Sequence, residues 1–175
     1  MAEAIRTRYK SYWFRSRLEA RWAAFFDLCE WPWQYEPVDL QGYIPDFILQ
    51  FTAPLLVEVK PDVTVAAMHA HTAKVEASGW QHEALIVGSG PLTGTNWNRP
   101  VLGLLAEHFP PMFSWSWDEA AIFRCLTCHR PSVCHTVQSF RCRVSACYDG
   151  DGHIGDLREL DQWWAEAQNR TQWRP

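Results

Sequence analysis

A chain of 175 residues, 47% hydrophobic and 21% charged, is long enough to bury a real core and has the balance of an ordinary folded protein, which excludes extended disorder. No run approaches the ~18 consecutive apolar residues of a membrane helix, and the opening MAEAIRTRYKSYWFRSR lacks the apolar core of a signal peptide, so the expectation is an intracellular, cytoplasmic protein with no membrane partner. The net charge of -4 argues against a surface that is basic throughout, yet Arg6, Arg8, Lys10, Arg15, Arg17 and Arg21 crowd the first 21 residues against Glu3 and Glu19, a local footprint able to bind phosphate.

Leu18, Trp22, Phe25, Phe26 and Cys29 recur at intervals of three and four and predict a helix from about Ser16 to Cys29, with Cys29 on its core face. Pro32 and Pro37 bound the next segment. WPWQYEPVDLQGYIPDFILQF reads as short extended pieces around a Gly turn, and PLLVEVK as a strand. After Pro61, Asp62 is suited to cap a helix that runs to about Ser78 and ends at Gly79, and EALIVGSG is the next apolar strand.

Helix, strand, strand, helix, strand describes an α/β layer fold with a central mixed sheet. From Pro91 to Pro111 the pattern weakens: TGTNWNRP is a loop and VLGLLAEHF an apolar stretch of either type. A last helix, about Gly155 to Gln168, offers Leu157, Leu160, Trp164 and Ala167 as its packing face. Trp22, Trp80 and Trp164 stand at packing positions, which makes core a better use of them than base stacking. The expected division is residues 1–115 as the α/β core and 116–175 as a Cys-rich module with the final helix.

The charges inside the apolar runs of YIPDFILQFTAPLLVEVKP, residues 43–61, call for a reason. Along a strand, Val57 and Val59 point one way and Glu58 and Lys60 the other. A hairpin between FILQF and PLLVEV would bring Asp46 beside Glu58. Two carboxylates so close repel, and a cation relieves them. Hard oxygen donors with open positions suit Mg²⁺, and a neighbouring Lys60 could orient water, which is the logic of metal-assisted phosphodiester hydrolysis. The plainer alternatives are an edge hairpin with exposed charges and a plain salt bridge.

Pro45-Asp46 and Glu58-Val59-Lys60, with the strand, helix and strand around them, resemble the PD-(D/E)XK nuclease superfamily of restriction-endonuclease-like folds, in particular its small phage and mobile-element members. The resemblance covers roughly residues 12–90. It implies a restriction-endonuclease-like core with Asp46, Glu58 and Lys60 as catalytic residues and Glu19 as a further acid on the preceding helix. It also implies Mg²⁺ (or Mn²⁺) held by Asp46, Glu58, Glu19 and the Val59 carbonyl. Arg15, Arg17, Arg21 and Lys74 are the expected nucleic-acid contacts. For Glu19 a surface pair with Arg15, and for Lys74 a solvated helix position, are the simpler readings.

The stretch CLTCHRPSVCHTVQSFRCRVSACYDGDGH holds five of the six cysteines. Cys125-x₂-Cys128 and, thirteen residues on, Cys142-x₄-Cys147 have the spacing of a four-thiolate Zn²⁺ site. Cys134, His129 and His135 could each replace one of the four, and free buried thiols, or a disulfide if the protein is exported, are the alternatives. Arg124, Arg130, Arg141 and Arg143 could add a nucleic-acid contact or serve solubility. The function expected is thus a Mg²⁺-dependent nuclease acting on nucleic acid, DNA foremost, in a phage, mobile-element or defence and repair setting, with a homodimer or a protein partner left open. The alternative is a non-catalytic nucleic-acid- or protein-binding module with a nuclease-like fold and a structural zinc.

Overall fold

The computed structural model describes residues 5–96, 99–109, 114–136, 141–147 and 154–172. In chain order the elements are β1 (Thr7–Tyr9), β2 (Tyr12–Phe14), α1 (Arg17–Leu28), β3 (Trp33–Tyr35), β4 (Phe47–Gln50) and β5 (Pro54–Val59). They continue with α2 (Val65–Met68), a 3₁₀ turn (His69–His71), α3 (Thr72–Glu76), β6 (Ala84–Thr93), β7 (Pro100–Phe109), β8 (Ser114–Cys125), β9 (Pro131–His135), β10 (Ile154–Gly155) and α4 (Leu160–Arg170). The class is α/β: one large mixed sheet in the order β10-β8-β7-β6-β5-β4-β3, with β9 also on β8, flanked by few helices, and a separate β1–β2 hairpin. The pair β5–β6 is parallel; the other pairs described are antiparallel.

Alternation along the strands divides the core in two. Val57 and Val59 of β5 and Phe47 and Leu49 of β4 pack toward α1 and α4 with Trp22, Phe25 and Phe26. Leu56 and Ile48 face the other way, with Met68 and Val75 of the crossover helices. The helix read as Ser16 to Cys29 is α1, with those two residues as its caps; the Ser16 hydroxyl oxygen accepts from the Glu19 amide at 3.1 Å. Cys29 is fully buried.

Three expectations need correction. The helix expected from Asp62 to Ser78 is two short helices joined by a 3₁₀ turn, and its cap is Thr64, whose oxygen accepts from the Ala67 amide at 3.3 Å. Asp62 is engaged elsewhere: its carboxylate meets His71 Nε2 at 2.8 Å and its carbonyl accepts from Ser89. Gly79 does end the segment, at φ +78°. The final helix begins at Leu160 rather than Gly155, because Gly155 pairs with Arg124 as a strand residue. Leu157, Leu160 and Ala167 are buried as expected, and Trp164 lies 4.8 Å from Trp22, ring to ring.

The ambiguous VLGLLAEHF belongs to β7. Its irregular pattern comes from a register shift between Val101 and Leu104, where Gly103 has φ +152° and a Cβ would stand 1.9 Å from the Ile86 carbonyl oxygen. β8 and β9 then carry the same sheet past residue 115, so the cysteine segment grows from a sheet edge that the core itself builds.

Candidate functional site

The β4–β5 register pairs Phe47 with Val57 and Ile48 with Leu56; one step further along, Asp46 falls opposite Glu58. Both are buried, at 5% and 4% exposure, and β5 lies between β4 and β6, so these are not the decorations of an edge strand. Asp46 Oδ2 accepts the Val59 amide at 2.8 Å, and Asp46 Oδ1 accepts Arg15 Nη2 at 2.6 Å. Glu58 Oε1 pairs with the Lys60 ammonium, and Glu58 Oε2 accepts the Tyr43 hydroxyl at 2.5 Å.

Glu19 joins the group from the first turn of α1. Its Oε1 accepts the Ser16 hydroxyl at 2.7 Å and its Oε2 the Tyr35 hydroxyl at 2.6 Å, while Arg15 Nε stands 4.0 Å away. Arg15 Nε also meets Glu36 at 2.8 Å. Glu36 holds a left-handed backbone, φ +45°, the kind of strain that functional sites retain. Four carboxylates, Glu19, Glu36, Asp46 and Glu58, therefore surround one arginine and one lysine.

Burial first, and then the charge of Glu58, push the Asp46 carboxyl up to about 7; the Val59 amide and Lys60 only partly oppose this. Burial and the Glu58 charge likewise hold the Tyr43 phenol far above its ordinary value, so it stays a donor. The cluster holds more carboxylates than cations, and carboxylate oxygens are hard donors.

Of the four expected nucleic-acid contacts, Arg15 lies inside the carboxylate cluster as its counter-ion. Lys74 sits 4.8 Å over the Tyr43 ring, on the side of Glu58. Arg17 and Arg21 lie elsewhere, a half turn round α1 from Glu19, and their Nε atoms are buried without an acceptor among the described residues. Tyr35, Glu36 and Tyr43 were not singled out from sequence. The available signal for Tyr43 was its place at a Gly turn just before Pro45-Asp46, where Gly42 has φ +64° and Leu40 and Tyr43 bridge.

The second cluster lies at the far end of β8. Cys125 closes that strand, Cys128 follows in the turn before β9, and Cys142 and Cys147 come from residues 141–147. The four Sγ atoms lie within 4.8 Å of one another, with Cys128 and Cys142 at 3.8 Å. That is far longer than a disulfide and close to the ~3.8 Å edge of a sulfur tetrahedron with Zn–S bonds of about 2.3 Å. The set could hold a metal such as zinc. Burial acts to raise the Cys128 thiol, but hydrogen bonds from Ser145, the Arg130 backbone and the neighbouring cysteines bring it down to about 7.

The other candidate ligands fall away. Cys134 is core on β9, its thiol pushed up to about 11 by burial. His135 Nε2 lies 3.2 Å from the Ser116 carbonyl oxygen, and neither His135 nor His129 is in the group. The arginines of this segment are engaged within the chain: Arg143 with Glu83 and Glu107, Arg141 with Glu83, Arg124 with Glu159 and Arg130 with the Glu30 carbonyl. Arg143, buried, is not a surface contact at all.

No family model, curated protein or solved structure matches the chain. Among the described residues no helix is long and apolar enough to cross a membrane.

Proposed function

We propose that the chain is a metal-dependent nuclease of the PD-(D/E)XK type, hydrolysing phosphodiester bonds of nucleic acid, DNA foremost. The observation that carries this is the convergence of Asp46, Glu58, Lys60 and Glu19 on one buried spot, from three elements, with burial and then the charge of Glu58 raising the Asp46 pKa to about 7. A divalent ion, Mg²⁺ or Mn²⁺, held by Asp46, Glu58 and the Val59 carbonyl would supply Lewis acidity toward phosphate and water.

The residues divide the remaining work. Glu19, fixed by Ser16 and Tyr35, keeps a third carboxylate aimed at the same region. Lys60 orients the attacking water or donates to the charge that develops on phosphate. Arg15 donates to Asp46 in the free protein and, with a cation held there instead, would be available to a phosphate oxygen. The four cysteines hold a structural zinc, since four protein ligands leave no open position.

A second reading has an observation of its own: Arg15 already pairs with Asp46, and Lys60 with Glu58, as in a self-neutralised cluster of a non-catalytic binding module. Incubating the protein with labelled duplex, branched and single-stranded DNA and RNA, in Mg²⁺ and in EDTA, separates the two. Metal-dependent cleavage of any of them supports the nuclease; binding without cleavage in Mg²⁺ and Mn²⁺ supports the module.

A further inference from the structure

Between the β1–β2 hairpin, the start of α1 and the end of α4 lies an open cavity of about 480 Å³. Its charged and aromatic walls are Arg6, Arg8 and Trp13 from the hairpin and the residue before it, Arg17 from α1 and Arg170 from α4, with Asn169 beside them. Among the described residues no carboxylate lines it. Arg170 is matched by Glu166 at 2.9 Å, but Arg6, Arg8 and Arg17 have no carboxylate partner among the described residues.

The hairpin wall is fixed in place. The Tyr9 hydroxyl donates to Asp27 on α1 at 2.8 Å, Lys10 reaches the same carboxylate at 2.8 Å, and Trp33 Nε1 binds its other oxygen at 3.1 Å. Arg17 Nε is buried without an acceptor among the described residues, and so is Arg21 Nε one turn on. Burial, followed by the like charge of Arg17, lowers the Arg21 pKa. Trp13, 58% exposed and opposite Arg8 in the hairpin register, stands at the rim with the Arg6 guanidinium over its ring, 5.7 Å from the centroid.

We propose that this cavity binds a phosphate of the nucleic-acid strand other than the one that is cut, with the adjoining base stacked on Trp13. Guanidinium groups match phosphate oxygens in pairs, and stacking on an aromatic ring accepts any base. The identity of the ligand rests on the proposed nuclease function; the cavity and its unmatched arginines do not. Arg15 and Arg17 are two residues apart, so a strand that reached the carboxylates and the cavity would pass over the start of α1.

The test is anisotropy titration of a labelled oligonucleotide at several salt concentrations in EDTA, where cleavage plays no part. It uses wild type, Arg8→Gln, Arg17→Gln, Arg17→Lys and Trp13→Ala, each checked for an unchanged melting temperature. Arg8→Gln and Arg17→Gln should each weaken binding several-fold and reduce the salt slope by roughly 0.7–0.9. Arg17→Lys should keep the slope. Trp13→Ala should weaken binding at least about fivefold with the slope kept.

Arg8 is exposed on a two-stranded hairpin, so its variant tests the cavity even if Arg17→Gln folds poorly. Wild-type affinity and slope in both glutamine variants would overturn the proposal. So would displacement of the oligonucleotide by micromolar inorganic phosphate or 5′-mononucleotide from wild type alone, which would make the cavity a small-molecule site. A wild type that binds with the expected slopes but cuts nothing in Mg²⁺ overturns the nuclease and leaves the cavity standing. One that cuts while the slopes do not change overturns the cavity alone.

Discussion

At the scale of single residues, Asp46 is the most informative, because its environment sets a sign. Its folded-state pKa, about 7, lies above the unfolded value near 4, so between these the native state holds the extra proton. Stability of the metal-free protein should therefore fall as pH rises from about 4 to 7 and then level off with respect to this group. Asp46→Asn removes the ionisation and should flatten the profile, gaining most over wild type at pH 8. Thermal melts in EDTA at pH 5 and pH 8 check this; an equal Asn effect at both pH values would contradict it. Lys60 makes a different prediction. Acting on water and developing charge, it should be needed for turnover more than for binding, so Lys60→Ala should lower single-turnover cleavage at saturating substrate on the order of 10²-fold or more. A loss confined to affinity would make Lys60 a phosphate clamp.

At the scale of elements, the cysteine segment is joined to the sheet by buried ions. Arg143 reaches Glu107 on β7 at 2.8 Å and Glu83, just before β6, at 2.6 Å; its guanidinium charge, with that of Arg141, outweighs burial and lowers the Glu83 pKa. Arg143→Ala would take its guanidinium partner from the buried Glu107 and leave Glu83 with Arg141, and should cost about 3–5 kcal/mol in denaturant melts, whereas Arg141→Ala, at an exposed position, should cost far less. The purified protein should carry about one Zn²⁺ per chain by elemental analysis, lost in Cys128→Ser and Cys142→Ser. Removing it should loosen residues 125–147 while β4 and β5 stay structured. Normal zinc content in both variants would make these cysteines ordinary thiols.

The same elements show what sequence carries. The bounds of α1 were legible because Ser16 and an apolar stripe are local signals, and the β4–β5 site was legible because alternation at period two assigns each side chain to a face. The start of α2 at Thr64 was not, since Asp62 is held instead by His71 and Ser89 later in the chain. Nor was β7, whose alternation is interrupted at Gly103, where only a missing side chain lets the backbone approach Ile86. Arg143 read as a surface cation because its partners, Glu83 and Glu107, lie 60 and 36 residues away.

At the scale of the whole molecule, one sheet carries both clusters far apart along its strand order, the carboxylates on β4 and β5 and the thiols at the end of β8. On the proposed function their hardness would separate two metals, since carboxylate and carbonyl oxygens favour magnesium and thiolates zinc. Chelators that strip magnesium should thus abolish cleavage reversibly and without unfolding, while zinc loss should act through stability. The most direct measurement is the cleavage rate of a labelled nucleic acid in Mg²⁺ by wild type, Asp46→Ala and Glu58→Ala, each confirmed folded by circular dichroism. The expected result is Mg²⁺-dependent cleavage by wild type that falls to the no-enzyme background in both variants. Undiminished Mg²⁺-dependent cleavage in both, or none by wild type across duplex, branched and single-stranded substrates, would contradict the assignment of this site.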